Sequence, residues 1–318
     1  MKKNNAKSDV AKPLDLELRP GQSIELLKEL HILTRDGKLN QDSRRKLKQV
    51  LHLFQFIEKI LKALSEEDAA KASKLGDSGL VGDGVVGAAQ MHGLTLADHG
   101  AGKSYLGFIV YDLFFKALSQ GHIYGIETRA ELVEASRALA QRLDFKRMVF
   151  LNTSVAESSQ SDQMPAQIDV VTALHACDTA TDDALARAVG WQAPVVLAAP
   201  CCHHDVAAQL RKAPTPSPYS ALTRHGILRE RFADTLTDAL RASLMRQQGY
   251  RVDVVEFVGS EHTPRNTMLR AVRTGSPVRG GSVVSEYDEL VATWQLRPRL
   301  AELLEGADQG SDQGSSGA

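Results

Sequence analysis

Apolar residues recur at spacings of three and four through Leu47, Val50, Leu51, Leu53, Phe54, Phe56, Ile57, Ile60, Leu61 and Leu64, which predicts one long amphipathic helix. Ahead of it, Ser23 follows Pro20 and Gly21 and is placed to cap a shorter helix carrying Ile24, Leu26, Leu27 and Leu30. From residue 94 the rhythm changes. Short apolar runs at Leu94–Ala97, Ile123–Ile126, Met148–Leu151, Ile168–Leu174 and Val195–Ala198 read as strands. Helical stretches alternate with them, at Lys103 to about Leu118, Thr128–Leu143, Ala180–Val189 and a long region over about 219–248. Alternating strands and helices predict a parallel sheet covered on both faces. Val252–Val258 and Asn266–Val272 close the series, and the seven residues between them are too few for a crossover helix. That last pair is therefore expected to run antiparallel. The fold class is α/β, a Rossmann-like seven-stranded sheet with an amino-terminal helical module.

The expected organisation is a helical module over 20–75, a Gly/Ser-rich loop over 76–93, the sheet domain over 94–275 and a helical segment over 276–305. Residues 1–19 and 306–318 are polar or low in complexity and read as solvated, disordered tails. The opening stretch carries lysines with no apolar core after them, so it is not expected to act as a signal peptide.

Charge sharpens this picture at one place. The 318-residue chain has a formal net charge of −1, so it is not a polycation. Residues 35–63 nevertheless hold eight basic residues against three acidic ones. This basic helix, densest over 44–62, reads either as a solvated face or as a grip for nucleic-acid phosphates. Three cysteines, two of them adjacent, cannot build a secreted disulfide framework, and a reducing cytoplasm is expected.

The candidate chemistry sits where strands end. Asp98-His99-Gly100-Ala101-Gly102-Lys103-Ser104 lies between the first strand and the first helix of the alternating region. Gly100 and Gly102 let the backbone turn and approach a ligand, and the helix behind them favours an anion. A phosphate-binding P-loop would need glycine where Ala97 stands, and Asp98 would repel phosphates. Asp98 instead suits a cationic ligand. Glu127 follows the second strand, where an acid can accept both ribose hydroxyls of an adenosine. A nicotinamide site would want glycine at Tyr105. Asn152–Ala156, with Ser154 at its centre, is placed by the fold to hold the adenine edge.

A second cluster follows strands four and five, at Leu174-His175-Ala176-Cys177-Asp178-Thr179-Ala180-Thr181-Asp182 and Pro200-Cys201-Cys202-His203-His204. Three readings stay open for it. The thiols and imidazoles have zinc-ligand chemistry but lack a C-x-x-C pair. Cys201 or Cys202 has the character of a nucleophile for attack on a pyrimidine ring. Alternatively His175, Asp178 or His203 serves as a base for transfer to a hydroxyl or ring nitrogen.

Together these motifs resemble one superfamily of class I S-adenosyl-L-methionine-dependent methyltransferases. It holds uncharacterised bacterial proteins, eukaryotic methyltransferase-like proteins and the tRNA acceptor-stem 2′-O-methyltransferases. The resemblance covers about residues 94–275. It implies S-adenosyl-L-methionine as cofactor, with Asp98, Gly100, Gly102 and Glu127 as its contacts; Lys103 and Ser154 are further candidate contacts by their place in the fold. It implies an acceptor pocket at His175, Cys177, Asp178, Thr181, Asp182, Cys202 and His203, and RNA (tRNA or rRNA) as partner. A protein or small-molecule acceptor, or a non-catalytic nucleic-acid-binding module on the same fold, are the alternatives. Asp178 replaces the family's glycine after the first cysteine, and the zinc fingers of the tRNA enzymes are missing. Glu261-His262-Thr263-Pro264-Arg265-Asn266 resembles a further family segment in which Arg265 would meet a phosphate.

Overall fold

The computed structural model describes residues 18–77, 93–118, 120–158, 161–174, 176–200, 202–256 and 266–312. Its centre is a seven-stranded sheet in the order β3-β2-β1-β4-β5-β7-β6. The strands are β1 Thr95–His99, β2 His122–Glu127, β3 Met148–Asn152, β4 Val170–Ala173, β5 Val195–Ala198, β6 Tyr250–Glu256 and β7 Thr267–Arg273. The first five run parallel, and β7 pairs antiparallel with both β5 and β6. The strand order reverses at β1, which lies between β2 and β4, and open α/β sheets bind their ligands at such a point.

The central strands are short and apolar because both faces are covered. All five residues of β1 and all four of β4 and β5 are buried. One face packs against α5 (Thr179–Gly190), α8 (Gly226–Gln247) and α10 (Arg299–Asp312) through Leu185, Leu240 and Leu300. The other face carries α1 (Ile24–Glu29), α2 (Gln41–Asp77), α3 (Tyr105–Leu113) and α4 (Ala130–Arg142). There Leu26, Leu27, Phe54, Ile57 and Leu61 join Phe108, Val133 and Ile123 in one apolar cluster. The amino-terminal helices thus share the core of the sheet domain. Ser23 caps α1 as the sequence predicts, its hydroxyl accepting from the Leu26 amide at 3.1 Å. The Ser23 amide in turn donates to buried Asp112 on α3 at 2.7 Å, and Arg142 reaches Glu29 at 2.9 Å.

Three elements differ from the pattern-based reading. The helix expected from Lys103 to Leu118 starts at Tyr105, because Gly100, Gly102 and Ser104 all hold positive φ and keep the chain in a turn. It ends at Leu113, and a 3-10 turn follows at Phe115–Ala117. The Arg147 guanidinium draws the carbonyls of Phe115, Leu118 and Gln120 to itself there. Second, α10 continues to Asp312, through half of the segment read as a solvated tail. Third, α6 (His204–Lys212) was not predicted, because its cap comes from far along the chain. The remaining helices are α7 (Ser220–Thr223) and α9 (Ser282–Trp294). Among the described residues, no helix is long and apolar enough to cross a membrane.

Candidate active site

The turn after β1 is wound tightly. Gly100 has φ +66°, and a Cβ there would stand 3.1 Å from the Ala176 Cα, in the chain that follows β4. Only glycine tolerates both that conformation and that approach. The Ala101 amide donates to the Ile126 carbonyl at 3.0 Å, which fixes the turn to the end of β2. Inside it Asp98 is 5% exposed, and its Oδ1 accepts from the Thr172 hydroxyl at 2.7 Å. Burial pushes its carboxyl up to about 6, with the Thr172 hydrogen bond only partly opposing. Among the described residues no lysine or arginine pairs with it. A buried acid in this state is a receptor for a cation.

Glu127 is the opposite case. Its carboxylate accepts from the Gly102 amide at 2.8 Å. It also accepts from the amide, Nε and Nη2 of Arg129 at 3.0, 3.0 and 3.1 Å. Burial alone would raise its pKa, but these donors outweigh it and hold the group down at about 2. A carboxylate has about four lone-pair sites, so this one is fully taken. A ribose diol reaches Glu127 only when Arg129, itself largely exposed, turns away.

A cavity of about 620 Å³ opens beside these groups. Asp98, Gly100 to Lys103, Arg129 and Leu174 form one wall. The other wall is the amino-terminal module, with Leu30, His31, Ile32, Lys46, Val50 and Leu53. Nothing in the residue pattern marks this second wall, because Val50 and Leu53 fit the core stripe of a helix equally well. Ser154 does not line the cavity; its hydroxyl pairs with Glu157 at 2.7 Å in the turn after β3. The size suits a nucleoside-sized ligand with an aminoacyl chain. The residues present fit S-adenosyl-L-methionine: a buried acid for its cationic end, a glycine cradle and a carboxylate at the end of β2.

The β4–β5 rim is built differently. Asp182 is 5% exposed and makes two hydrogen bonds with Arg241 on α8, both 2.8 Å. The Arg241 Nη2 also donates to the Asp178 carbonyl at 2.9 Å. Burial would lower the Arg241 pKa, but Asp182 and its other acidic neighbours hold it above its ordinary value. His203 is buried, with Nε2 2.9 Å from Asp238 Oδ1. Its Nδ1 lies 3.2 Å from Asp234 Oδ1 without the alignment of a hydrogen bond. Asp178 has φ +55° and ψ −126°, a conformation that explains glycine at this position in the resembling family. Its Oδ1 accepts from the His204 and Asp205 amides at 2.9 and 3.1 Å, and so caps α6. The Thr181 hydroxyl donates to the Ala176 carbonyl. Cys177 is exposed and Cys202 half-buried, both as thiols. His175, Cys201 and the segment 257–265 with Arg265 lie outside the described residues. Among the described residues no group of three or more His, Cys, Asp or Glu is arranged to hold a metal ion.

One buried group had no role in the sequence reading. His99, next to Asp98, is fully buried against Trp191, and among the described residues neither ring nitrogen has a hydrogen-bond partner. Burial, reinforced by Arg187, pushes it down to about 3, so the ring is neutral. A packed aromatic role for this imidazole is indistinguishable in sequence from a ligand role.

The strand order, the glycine turn and the two acids define a Rossmann-like methyltransferase fold. Residues 45–209, just over half of the chain, match the methyltransferase-domain family, and the protein belongs to that family. No curated protein sequence matches it. Solved structures similar to it include Aeropyrum pernix fibrillarin in complex with natively bound S-adenosyl-L-methionine. That match is 14% identical and covers 57% of this chain and 67% of that chain, with TM-score 0.37. An rRNA methylase from Streptococcus thermophilus is 5% identical over 58% of this chain and 89% of that chain, TM-score 0.35. Magnesium protoporphyrin IX methyltransferase from Synechocystis PCC 6803, with bound SAH, is 14% identical over 79% and 93%, TM-score 0.36.

Proposed function

We propose that the protein transfers a methyl group from S-adenosyl-L-methionine to RNA, with a ribose 2′-hydroxyl as the favoured acceptor. One observation carries the reading: the basic helix α2 supplies a wall of the same cavity that Asp98 and the glycine turn line, through Lys46, Val50 and Leu53. A polyanion gripped by α2 is thereby presented at the cofactor. The motif resemblance to the tRNA acceptor-stem enzymes supports the choice of acceptor. The cofactor supplies an electrophilic methyl group on a sulfonium. In this reading Asp98 binds its ammonium group, the Gly100–Gly102 backbone lies along its amino-acid end, and Glu127 receives its ribose once Arg129 has moved. Lys103 stands exposed at the cavity mouth, where it meets the carboxylate or the incoming RNA.

The β4–β5 rim has the task of aligning the acceptor. Asp182 and His203 are engaged in buried pairs, so they act by holding the rim in place. Cys177 is exposed there and Asp178 half-buried. A cytoplasmic location is proposed with this function, on three cysteines too few for a disulfide framework.

The test is calorimetric titration with S-adenosyl-L-methionine, with ATP and NAD as controls, followed by transfer of labelled methyl from the cofactor to total cellular RNA. Cofactor binding and label in nuclease-sensitive, alkali-resistant dinucleotides are expected. Cofactor binding with label only in protein or small molecules would overturn RNA as the substrate.

A further inference from the structure

A second cavity, of about 560 Å³, lies at the corner between α1 and α2. It shares two lining residues, His31 and Lys46, with the cofactor cavity, so the two open onto each other's edge. Its lining is cationic: Lys28 from α1, Arg35 from the corner and Lys46 from α2. The one acid in it, Glu29, is paired with Arg142 at 2.9 Å, which offsets its charge. Donors predominate among the neutral groups as well. Asn40 spends its carbonyl oxygen on the Ser43 amide at 2.8 Å, which leaves its NH₂ as the group on offer. His31 holds φ +54° at this corner although it is not glycine. That conformation directs the chain so that one residue lines both cavities.

We infer that this corner is a phosphate-binding pocket that seats the acceptor RNA's backbone next to the nucleotide to be methylated. A cationic pocket with an arginine fork and several donors suits phosphate oxygens. Its position fits the requirement of the reaction, since the phosphates flanking an acceptor nucleotide lie within one nucleotide's length of the reacting atom. The basic stripe of α2 then extends the track beyond the pocket. The inference rests on the RNA reading given above, and it adds a site on α1 and the corner that helix α2 alone does not contain.

The experiment measures binding of a twelve-nucleotide oligouridylate to the full-length protein by fluorescence anisotropy across a salt series, with cofactor affinity measured in parallel. In the Lys28→Gln, Arg35→Gln double variant we expect RNA affinity to fall roughly tenfold or more, and the slope of log K against log salt to lose about 1.4. Cofactor affinity is expected to be unchanged, because neither side chain lines the cofactor cavity. The single variant Arg35→Gln, with a loss of about 0.7 in slope, carries the test if the double variant does not fold. If the wild-type protein binds the oligonucleotide and both variants bind it with the same slope, the pocket is overturned while the RNA reading stands. If the wild-type protein binds cofactor but no RNA, the RNA reading fails and the pocket falls with it. Polyglutamate binding as tightly as the oligonucleotide, and weakened equally by the variants, would assign the corner to an acidic protein and overturn the RNA assignment.

Discussion

Beside β1 and β2 a buried acid, Asp98, has no lysine or arginine paired with it among the described residues; beside β4 and β5 a buried acid, Asp182, is clamped by Arg241. Both belong to motifs that the sequence placed at strand ends, and both are 5% exposed. The difference separates two kinds of buried charge. An acid paired within the protein is part of the scaffold. An acid left without a cationic partner beside a cavity stores unfavourable free energy that a cationic ligand releases on binding. Motif position alone does not distinguish the two, whereas the partner does.

The contrast is broken most severely from the paired side. Arg241→Ala leaves Asp182 and Asp238 buried without their cation. Removing one partner of a buried pair costs about 3–5 kcal/mol. For a chain of this size that corresponds to a fall in Tm of about 5–8 °C, read by differential scanning calorimetry. Cofactor affinity of the molecules that remain folded is expected to be unchanged. A full loss of cofactor binding in folded Arg241→Ala would move this pair into the cofactor site.

Asp98→Asn has the opposite signature. Burial lifts Asp98 from 3.8 to about 6 in the folded protein. A raised carboxyl favours the folded state below its ordinary value, and that advantage is lost as the pH climbs through about 6. At pH 8 the ionised group therefore costs about 2–3 kcal/mol. The asparagine variant, which keeps an acceptor for Thr172, is expected to melt higher than wild type at that pH. Its cofactor affinity is expected to fall about 100-fold by calorimetric titration, the cost of losing one charge-assisted contact. In wild type the affinity is expected to weaken as the pH drops through about 6, and in the variant to stay flat. Lower stability together with wild-type affinity would remove Asp98 from the ligand site.

A smaller effect separates conformation from capping at Asp178. Asp178→Gly relieves the positive φ but loses the cap of α6, so its stability should lie within about 1 kcal/mol of wild type. Asp178→Ala loses the cap and keeps the strained backbone, and should be less stable than the glycine variant by about 1–2 kcal/mol. Urea denaturation reads the difference; equal stabilities would deny that the backbone at Asp178 is strained. The smallest effect is expected at the thiol. Cys202→Ser should retain turnover within about threefold, since transfer to a hydroxyl needs alignment and no nucleophilic sulfur. Complete loss of turnover would make Cys202 a nucleophile and shift the acceptor to a pyrimidine carbon.

Much of this protein was legible wherever the determining interactions are local. The alternation of apolar runs set the strands, Ser23 set the start of α1, and the strand–turn–helix context singled out Asp98, Gly100, Gly102 and Glu127. The short connection after residue 258 foretold an antiparallel final pair, but the insertion of β7 between β5 and β6 is a choice of sheet order that no local pattern encodes. The rim chemistry was less legible for the same reason. Asp178 caps a helix 26 residues downstream, His203 meets Asp238 across 35 residues, and Arg241 reaches Asp182 across 59. The residue types at these positions can serve as bases, ligands or scaffold, and desolvation together with the partner decides which. The sequence by itself determined the strands and most of the helices, the glycine turn and the acids at the ends of β1 and β2, because hydrophobic periodicity and backbone freedom act within a few residues. Only the tertiary structure decided that Asp98 faces a cavity uncompensated and that the amino-terminal helices close the far wall. Those outcomes depend on which distant side chain arrives within about 3 Å of a charge, and packing alone fixes that.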